Sequence, residues 1–142
     1  PCMEFDDICR LPVTNLAELD CVLFLWVTDP FLERAFKLIH QWNFNFKTVA
    51  FTWVKTTQTN KYFKGMGYWV RKNPEMCLLA TKGKPTRLSK NVEQLIISPR
   101  RKHSQKPDCV RDRIVELCGD LPRIELFARQ KVKGWSCWGN EV

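Results

Sequence analysis

Residues 21–28, CVLFLWVT, form an unbroken apolar run with the length of one β-strand. A run without polar alternation is typical of a strand that is covered on both faces, as in a parallel sheet. A second run of this kind, FKTVAFTWV, follows at residues 46–54, where β-branched and aromatic residues dominate. The two runs therefore predict two buried strands.

The residues between these strands favour a helix that ends near Gln41. Thr28 or Asp29 can cap its N-terminus, and Pro30 falls in the first turn, where its missing N–H costs nothing. The apolar stripe of this helix consists of Phe31, Ala35, Leu38 and Ile39. A strand, a helix and a strand in succession indicate an α/β fold.

The rest of the chain continues this alternation. The further elements that we predict are a helix at 4–11, strands at 76–81, 93–98 and 123–128, and an amphipathic helix at 107–118. Residues 56–67 are polar, contain Gly65 and Gly67, and predict a mobile loop. We expect one domain over residues 1–142, with a doubly wound sheet covered on both faces. Such a sheet binds its ligand beyond the carboxyl ends of the strands.

The net charge of +8 is concentrated in one segment. Residues 71–106 contain ten Lys and Arg against Glu75 and Glu93, so the segment carries +8 and the other residues sum to zero. A basic segment of this kind favours a polyanionic partner, because phosphate contacts gain from counterion release. A solvated basic face would give the same composition, so charge alone leaves both interpretations open.

The seven cysteines have the spacing of neither a metal site nor a disulfide framework. No two are separated by only two or four residues, their number is odd, and only His40 and His103 could complete a zinc site. We expect buried free thiols in a reducing compartment and no bound metal. No apolar run approaches the roughly 20 residues that span a bilayer, and no leader-like stretch opens the sequence. We therefore expect a soluble intracellular protein without membrane attachment.

Five short blocks are more specific than composition. They are LFLWV at 23–27, KTVAFTWVK at 47–55, GMGYW at 65–69, SQKPD at 104–108 followed by IELFAR at 124–129, and GW at 134–135 with WGNEV at 138–142. Together they resemble the MT-A70 family, which contains the mRNA adenosine-N6-methyltransferase and its bacterial and phage DNA relatives. The resemblance runs from about Met3 to Val142.

The resemblance implies a Rossmann-like methyltransferase sheet and S-adenosylmethionine as the cofactor. Lys106 can meet the carboxylate of the cofactor at a helix N-terminus, which adds partial positive charge. Arg129, Asn140 and Glu141 are implied to contact its ribose and adenine, for which their donors and acceptors are suited. At the position equivalent to Glu141, the RNA branch of the family more often has Gln. The predicted cofactor-binding residues are Lys106, Pro107, Phe127, Arg129, Asn140 and Glu141.

The resemblance also implies methylation of adenine N6 in a nucleic acid. Tyr68 and Trp69, in a glycine-hinged loop that leads to Arg71, suit a place beside the target base, although packing at a strand entrance would explain them equally. We expect DNA rather than RNA, because the chain resembles the compact bacterial and phage members. The predicted substrate-binding residues are Lys55, Tyr68, Trp69, Arg71, Arg100, Arg101 and Lys102.

The catalytic signature of the family, Asp-Pro-Pro-Trp, does not occur in these 142 residues. In the family it precedes the region equivalent to Pro1, so we expect a methyltransferase domain that lacks its first strand and has no catalytic residue of its own. Asp29-Pro30 is followed by Phe31 rather than by a second proline, and helix capping is enough to explain it.

Three interpretations stay open. The chain is a fragment of an adenine-N6 methyltransferase, or a non-catalytic nucleic-acid-binding subunit beside an active methyltransferase subunit, or an α/β nucleic-acid-binding domain without a cofactor. The resemblance implies the cytoplasm for a bacterial or phage-encoded protein and the nucleus for a eukaryotic one.

Overall fold

The structure is a computed structural model that describes residues 3–102 and 105–142. The helices are α1 (Phe5–Cys9), α2 (Val13–Leu16), α3 (Leu32–Gln41) and α4 (Cys109–Cys118), with a 3₁₀ turn at Asp29–Phe31. The strands are β1 (Cys21–Val27), β2 (Asn45–Thr56), β3 (Glu75–Lys82), β4 (Leu95–Pro99), β5 (Ile124–Leu126) and β6 (Ser136–Trp138). The α/β class is thereby confirmed.

Two compact units divide the chain. The first consists of the described residues of 1–86 together with 93–99, and the second of those of 87–92 together with 100–142. The first unit therefore contains β1 to β4 and the helices α1 to α3. The second contains α4, β5 and β6. That the two units form a single domain stays a prediction.

The first unit is built on a four-stranded sheet in the order β1-β3-β2-β4. β3 runs antiparallel to β1 and to β2, whereas β4 runs parallel to β2. The sheet is therefore mixed, and the parallel arrangement that the apolar runs predicted is wrong for β3. The reason is the connection from β2 to β3, which contains no crossover helix; neighbouring parallel strands need such a crossover.

Helix α3 packs against β1 and β2, and its buried residues are Ala35, Leu38 and Ile39, as predicted. Phe31 was expected in the same stripe but is 52% exposed, because it lies in the 3₁₀ turn before the helix. Pro30 occupies the first turn, but neither Thr28 nor Asp29 makes a side-chain capping bond, so the predicted cap is wrong.

Strand β1 is less buried than its sequence predicts. Six of its seven residues are half-buried, and only Val27 is buried. Among the described strands β1 lies at the edge of its sheet and pairs with β3 alone. Trp26 is accordingly half-buried, while Trp53 in β2 is 2% exposed and donates its indole N–H to the Ser98 carbonyl at 2.9 Å. The expectation that both tryptophans belong to the core is confirmed for Trp53.

The second unit contains α4 and a two-stranded parallel sheet of β5 and β6. Helix α4 begins two residues later than predicted and ends at Cys118. Gly119 follows it with a φ of +94°, which glycine adopts without strain but other residues do not. Strand β6 was not predicted, because three residues are too few to show an alternating pattern. It brings the C-terminal tail alongside β5.

The cysteines described by the structure are all free thiols, but only Cys77 is buried, and Cys109 is exposed. Buried thiols are therefore confirmed for Cys77 alone. Within residues 3–102 and 105–142, no cluster of three or more His, Cys, Asp or Glu is placed to hold a metal ion. No described helix is both long and apolar enough to cross a membrane. Cys2, His103 and Ser104 lie outside the described residues.

Candidate functional site

The predicted residues of the C-terminal tail lie beside the end of β5. Leu126 pairs with Trp138 in the parallel ladder, and the Ala128 N–H donates to the Trp138 carbonyl at 3.0 Å. A guanidinium nitrogen of Arg129 lies 3.6 Å from a carboxylate oxygen of Glu141. The tail therefore folds back across the end of β5 and brings Glu141 to Arg129.

The backbone around Phe127 is held in an unusual conformation. Phe127 has a φ of +57°, in the left-handed region that non-glycine residues rarely adopt. A Cβ atom on Gly139 would lie 3.1 Å from both the Ala128 nitrogen and the Phe127 Cα, so glycine allows the tail to approach this closely. The Phe127 ring packs edge-on against Trp138, with the ring centroids 5.3 Å apart. Strain of this kind is common at ligand-binding sites, and here it falls among the predicted cofactor residues.

Three side chains beside the end of β5, which we call the polar edge, offer both donors and acceptors. Arg129, Asn140 and Glu141 are all exposed. The 3.6 Å between Arg129 and Glu141 is too long for a hydrogen bond, so both groups keep capacity for a ligand. A guanidinium donates, a carboxylate accepts, and the Asn140 amide does both. This set fits the hydroxyl groups and base edge of a nucleoside.

Lys106 and Pro107 lie just before α4, where Pro107 is buried and Lys106 is half-buried. The Arg101 guanidinium donates to the Lys106 carbonyl at 3.3 Å and forms a 2.8 Å ion pair with Asp108. The hydrogen bond from Arg101 holds the pKa of the Asp108 carboxyl below its ordinary value, and Arg111 adds to this effect. Arg101 thus stabilises the turn that carries Lys106. A contact of the Lys106 ammonium with the cofactor stays a prediction.

Arg111 links α4 to β5 and was not singled out by the sequence. Its guanidinium lies 3.1 Å from Asp108 on its own helix and 3.0 Å from Glu125 on β5. The ion pair with Asp108 could have been predicted from the sequence, because residues three positions apart are neighbours on a helix. The contact to Glu125 depends on tertiary structure. It holds the start of α4 near the strand that leads to Arg129.

A cleft of about 440 Å³ lies elsewhere in the second unit, on the side of α4 that faces residues 130–135. Arg123 and Trp135 contribute to its wall, with the guanidinium 5.3 Å from the indole centroid. None of the predicted cofactor-binding residues lines it. The polar edge at Arg129 is exposed to solvent rather than enclosed in this cleft.

Three predicted nucleic-acid contacts follow β4. Arg100 and Lys102 are exposed, whereas Arg101 is half-buried and engaged with Asp108. Arg100 and Lys102 are therefore more accessible to solvent than Arg101, and phosphate contacts of all three stay a prediction.

In the first unit, the Lys55 side chain points towards Glu75 rather than into solvent. Its ammonium lies 3.1 Å from the Glu75 carboxylate and 5.1 Å from the Trp53 ring centroid. The Lys55 and Glu75 side chains are only 20% and 7% exposed. Lys55 therefore belongs to a largely buried ion pair, and its contact with substrate stays a prediction. Glu75 was not identified from the sequence as the partner of Lys55. Its position could have indicated a paired charge, because Glu75 is an acidic residue at the start of an apolar strand inside the basic segment.

The segment between β2 and β3, residues 57–74, is an ordered turn structure that we call the aromatic hairpin. Gly65 and Lys72 exchange two backbone hydrogen bonds, of 2.7 and 3.2 Å. Nearer the sheet, the Phe63 N–H donates to the Lys55 carbonyl at 3.0 Å. The loop that the sequence predicted as mobile is therefore tied together by its own backbone.

The tip of the aromatic hairpin presents two aromatic rings to solvent. Tyr68 is 90% exposed and Trp69 is 88% exposed. A Cβ atom on Gly67 would overlap the Val70 carbonyl oxygen, so the tight tip requires glycine. The alternative that these aromatics pack at the strand entrance is wrong. The hairpin carries four basic residues and no acidic one, namely Lys61, Lys64, Arg71 and Lys72.

Comparison with known proteins points to one family. The MT-A70 family model matches residues 1–141. A Type II methyltransferase, M.MunI of a Mycoplasma species, is 37% identical over 144 residues, which cover 100% of this chain and 59% of the relative. An N(6)-adenosine-methyltransferase MT-A70-like protein of Drosophila melanogaster is 30% identical over 145 residues, 99% of this chain and 24% of the relative.

A mammalian relative is similar to a comparable degree. The N(6)-adenine-specific methyltransferase METTL4 of Mus musculus is 32% identical over 153 residues, which cover 94% of this chain and 31% of the relative. The chain thus spans 59% of the Mycoplasma protein and less than a third of the two animal proteins.

Proposed function

The chain belongs to the MT-A70 family, and from this premise we propose that it is the cofactor- and nucleic-acid-binding part of an adenine-N6 methyltransferase that uses S-adenosylmethionine. The observation that carries the proposal is the polar edge at the end of β5, where the tail brings Glu141 to Arg129. The names of the relatives, which include adenine and adenosine N6 methyltransferases, support it.

The residues at this edge fit the nucleoside part of S-adenosylmethionine. Glu141 can accept hydroxyl groups of the ribose, Asn140 can pair with the adenine edge, and Arg129 can donate to either. Lys106, at the start of α4, would meet the carboxylate of the cofactor, helped by the helix N-terminus. The bound cofactor supplies an electrophilic methyl group. The residues of this chain bind and orient it.

We propose that the protein binds nucleic acid through basic side chains and exposed aromatic side chains. Tyr68 and Trp69 stack on bases, while Arg71, Arg100 and Lys102 contact phosphates. DNA is our preferred substrate, because the chain resembles the compact bacterial and phage members of the family; the Mycoplasma relative is 37% identical to it. RNA binding with higher affinity than DNA binding would reverse that preference.

Methyl transfer by these 142 residues alone is not expected. The residues contain no Asp-Pro-Pro-Trp sequence to hold the exocyclic amine. Incubation with labelled S-adenosylmethionine and adenine-containing DNA or RNA should give no incorporation. Clear incorporation would show that other residues hold the amine. The exposed aromatic tip and the four basic residues of the aromatic hairpin also suit a second candidate function, a non-catalytic nucleic-acid-binding subunit, which would increase the rate of an added active methyltransferase.

Arg129→Ala tests the cofactor site. We expect it to weaken S-adenosylmethionine binding by roughly 1.5–3 kcal/mol, the scale of a lost hydrogen bond to a charged group. Titration calorimetry of both proteins measures the difference. Arg10→Ala is the matched control, because Arg10 is an exposed arginine in the first unit, paired with Asp7. Equal affinity of the Arg129→Ala protein and the unaltered chain would remove Arg129 from the site.

A further inference from the structure

Asn73 connects both arms of the aromatic hairpin to the end of β2. Its side-chain oxygen accepts the Lys55 N–H at 2.9 Å, and its side-chain nitrogen donates to the Lys55 carbonyl, also at 2.9 Å. The same nitrogen donates to the Phe63 carbonyl at 2.5 Å. One side chain on the returning arm therefore holds the last part of β2 and the outgoing arm together.

An amide is the group that this position requires. The oxygen faces an N–H and the nitrogen faces two carbonyl groups, so the neighbours determine which way the amide points. Alanine would leave the Lys55 and Phe63 backbone groups without these bonds. Serine could replace one of them but is too short to bridge both arms.

The bonds of Asn73 lie at the base of the hairpin, while the aromatic rings lie at its tip. Between base and tip, the two backbone hydrogen bonds that Gly65 and Lys72 exchange hold the two arms side by side. Tyr68 and Trp69 are too exposed to be held by packing. Their direction therefore depends on the backbone of the hairpin and on what fixes its base.

We propose that Asn73 is a positioning residue for nucleic-acid binding, which fixes the base of the aromatic hairpin so that Tyr68 and Trp69 are presented to bases in a preformed arrangement. The inference rests on the proposed function and adds to it a residue that does not touch the ligand. A preformed loop avoids the ordering cost that a flexible loop incurs on binding.

The composition of the hairpin indicates nucleic acid rather than a protein as the ligand of its tip. Four basic residues flank the two exposed rings, and no acidic residue occurs between positions 57 and 74. Cations beside stacking aromatics are the combination that single-stranded nucleic acids bind. The regularly spaced phosphates of a nucleic acid match such a set of cations.

The test is a double-mutant cycle on the full 142-residue chain. The probe is a short adenine-containing DNA, as single strand and as duplex, and the readout is its affinity by fluorescence anisotropy. We expect Asn73→Ala to weaken binding by about tenfold, the scale of one or two net hydrogen bonds. In a Tyr68→Ala/Trp69→Ala background, Asn73→Ala should change affinity by less than about twofold, because the residue acts through these rings.

Each outcome decides the inference. An equal loss in both backgrounds would show that Asn73 supports the protein in general, and no loss in the unaltered background would show that it positions nothing; either overturns the proposal while DNA binding stands. Failure of the unaltered chain to bind DNA or RNA would overturn it together with the proposed function. If Asn73→Ala does not fold, Asn73→Ser in the same cycle replaces it, with amide exchange at Gly65 and Lys72 reporting on the hairpin. Asn91→Ala, at an exposed asparagine outside the hairpin, should bind normally.

Discussion

Replacing Tyr68 and Trp69 together with alanine is expected to weaken nucleic-acid binding by roughly 2–6 kcal/mol, since stacking on an aromatic side chain contributes about 1–3 kcal/mol per base. The smaller figure is a loss of about 30-fold in affinity. Both rings are almost fully exposed, so their removal takes nothing from the core. The unfolding free energy should therefore stay within about 0.5 kcal/mol of that of the unaltered chain.

The salt dependence of binding separates stacking from charge. The Tyr68→Ala/Trp69→Ala protein should keep the slope of log affinity against log salt, because it loses no cation. Replacing Arg100, Arg101 and Lys102 with alanine should flatten that slope on duplex DNA by about 0.9 per lost phosphate contact. Since Arg100 and Lys102 are exposed and Arg101 is half-buried, we expect a change of about 1.8, from two contacts rather than three.

Two results would contradict the assignment of the hairpin tip. One is unchanged affinity of the Tyr68→Ala/Trp69→Ala protein, which would place the aromatic tip outside the interface. The other is an equal loss in the control variant Phe31→Ala, which removes a partly exposed ring far from the hairpin in sequence. An equal loss would show that removing any exposed aromatic ring lowers the affinity for nucleic acid, wherever the ring lies.

Lys55→Met is expected to lower the free energy of unfolding by about 3–5 kcal/mol, the usual cost of removing one partner from a buried ion pair. The side chain of Glu75 is 7% exposed, so its carboxylate would face a low-dielectric environment after losing the Lys55 ammonium. Methionine keeps the length and apolar stem of lysine, which confines the change to charge. Denaturant titration measures the difference.

The double variant Lys55→Met/Glu75→Leu distinguishes charge from packing. It removes both charges and should recover most of the lost stability, because an apolar pair of similar volume often replaces a buried ion pair without loss. Arg10→Ala, which breaks the exposed pair with Asp7, should cost no more than about 1 kcal/mol. A Lys55→Met protein of normal stability that loses DNA affinity would instead support the role of Lys55 as a substrate contact.

Part of this fold could be predicted from local sequence. Residues 21–28 and 46–54 are long apolar runs with β-branched and aromatic residues, and both form strands at nearly the predicted positions. The helix between them follows from its 3.6-residue apolar period, which Ala35, Leu38 and Ile39 satisfy. The family could be recognised for a related reason: its blocks are contiguous residues, whose spacing does not depend on how the chain folds.

The direction and edges of the sheet could not be predicted in this way. An apolar run predicts burial but does not specify a partner, so it could not show that β3 inserts antiparallel between β1 and β2, or that β1 lies at the edge. Strand β6 is defined by its pairing with β5, since three residues have no periodicity of their own.

The candidate site divides in the same way. The sequence by itself determined which residue types are present at Arg129, Asn140, Tyr68 and Trp69, and so which ligand chemistry they suit. Tertiary structure alone decided that Lys55 faces Glu75, 20 residues further along the chain, and that Asn73 binds the backbone 18 residues before it. A hydrogen bond, including one within an ion pair, needs its donor and acceptor atoms about 3 Å apart. Its partners are therefore decided by which segments folding brings together and not by the order of residues in the chain.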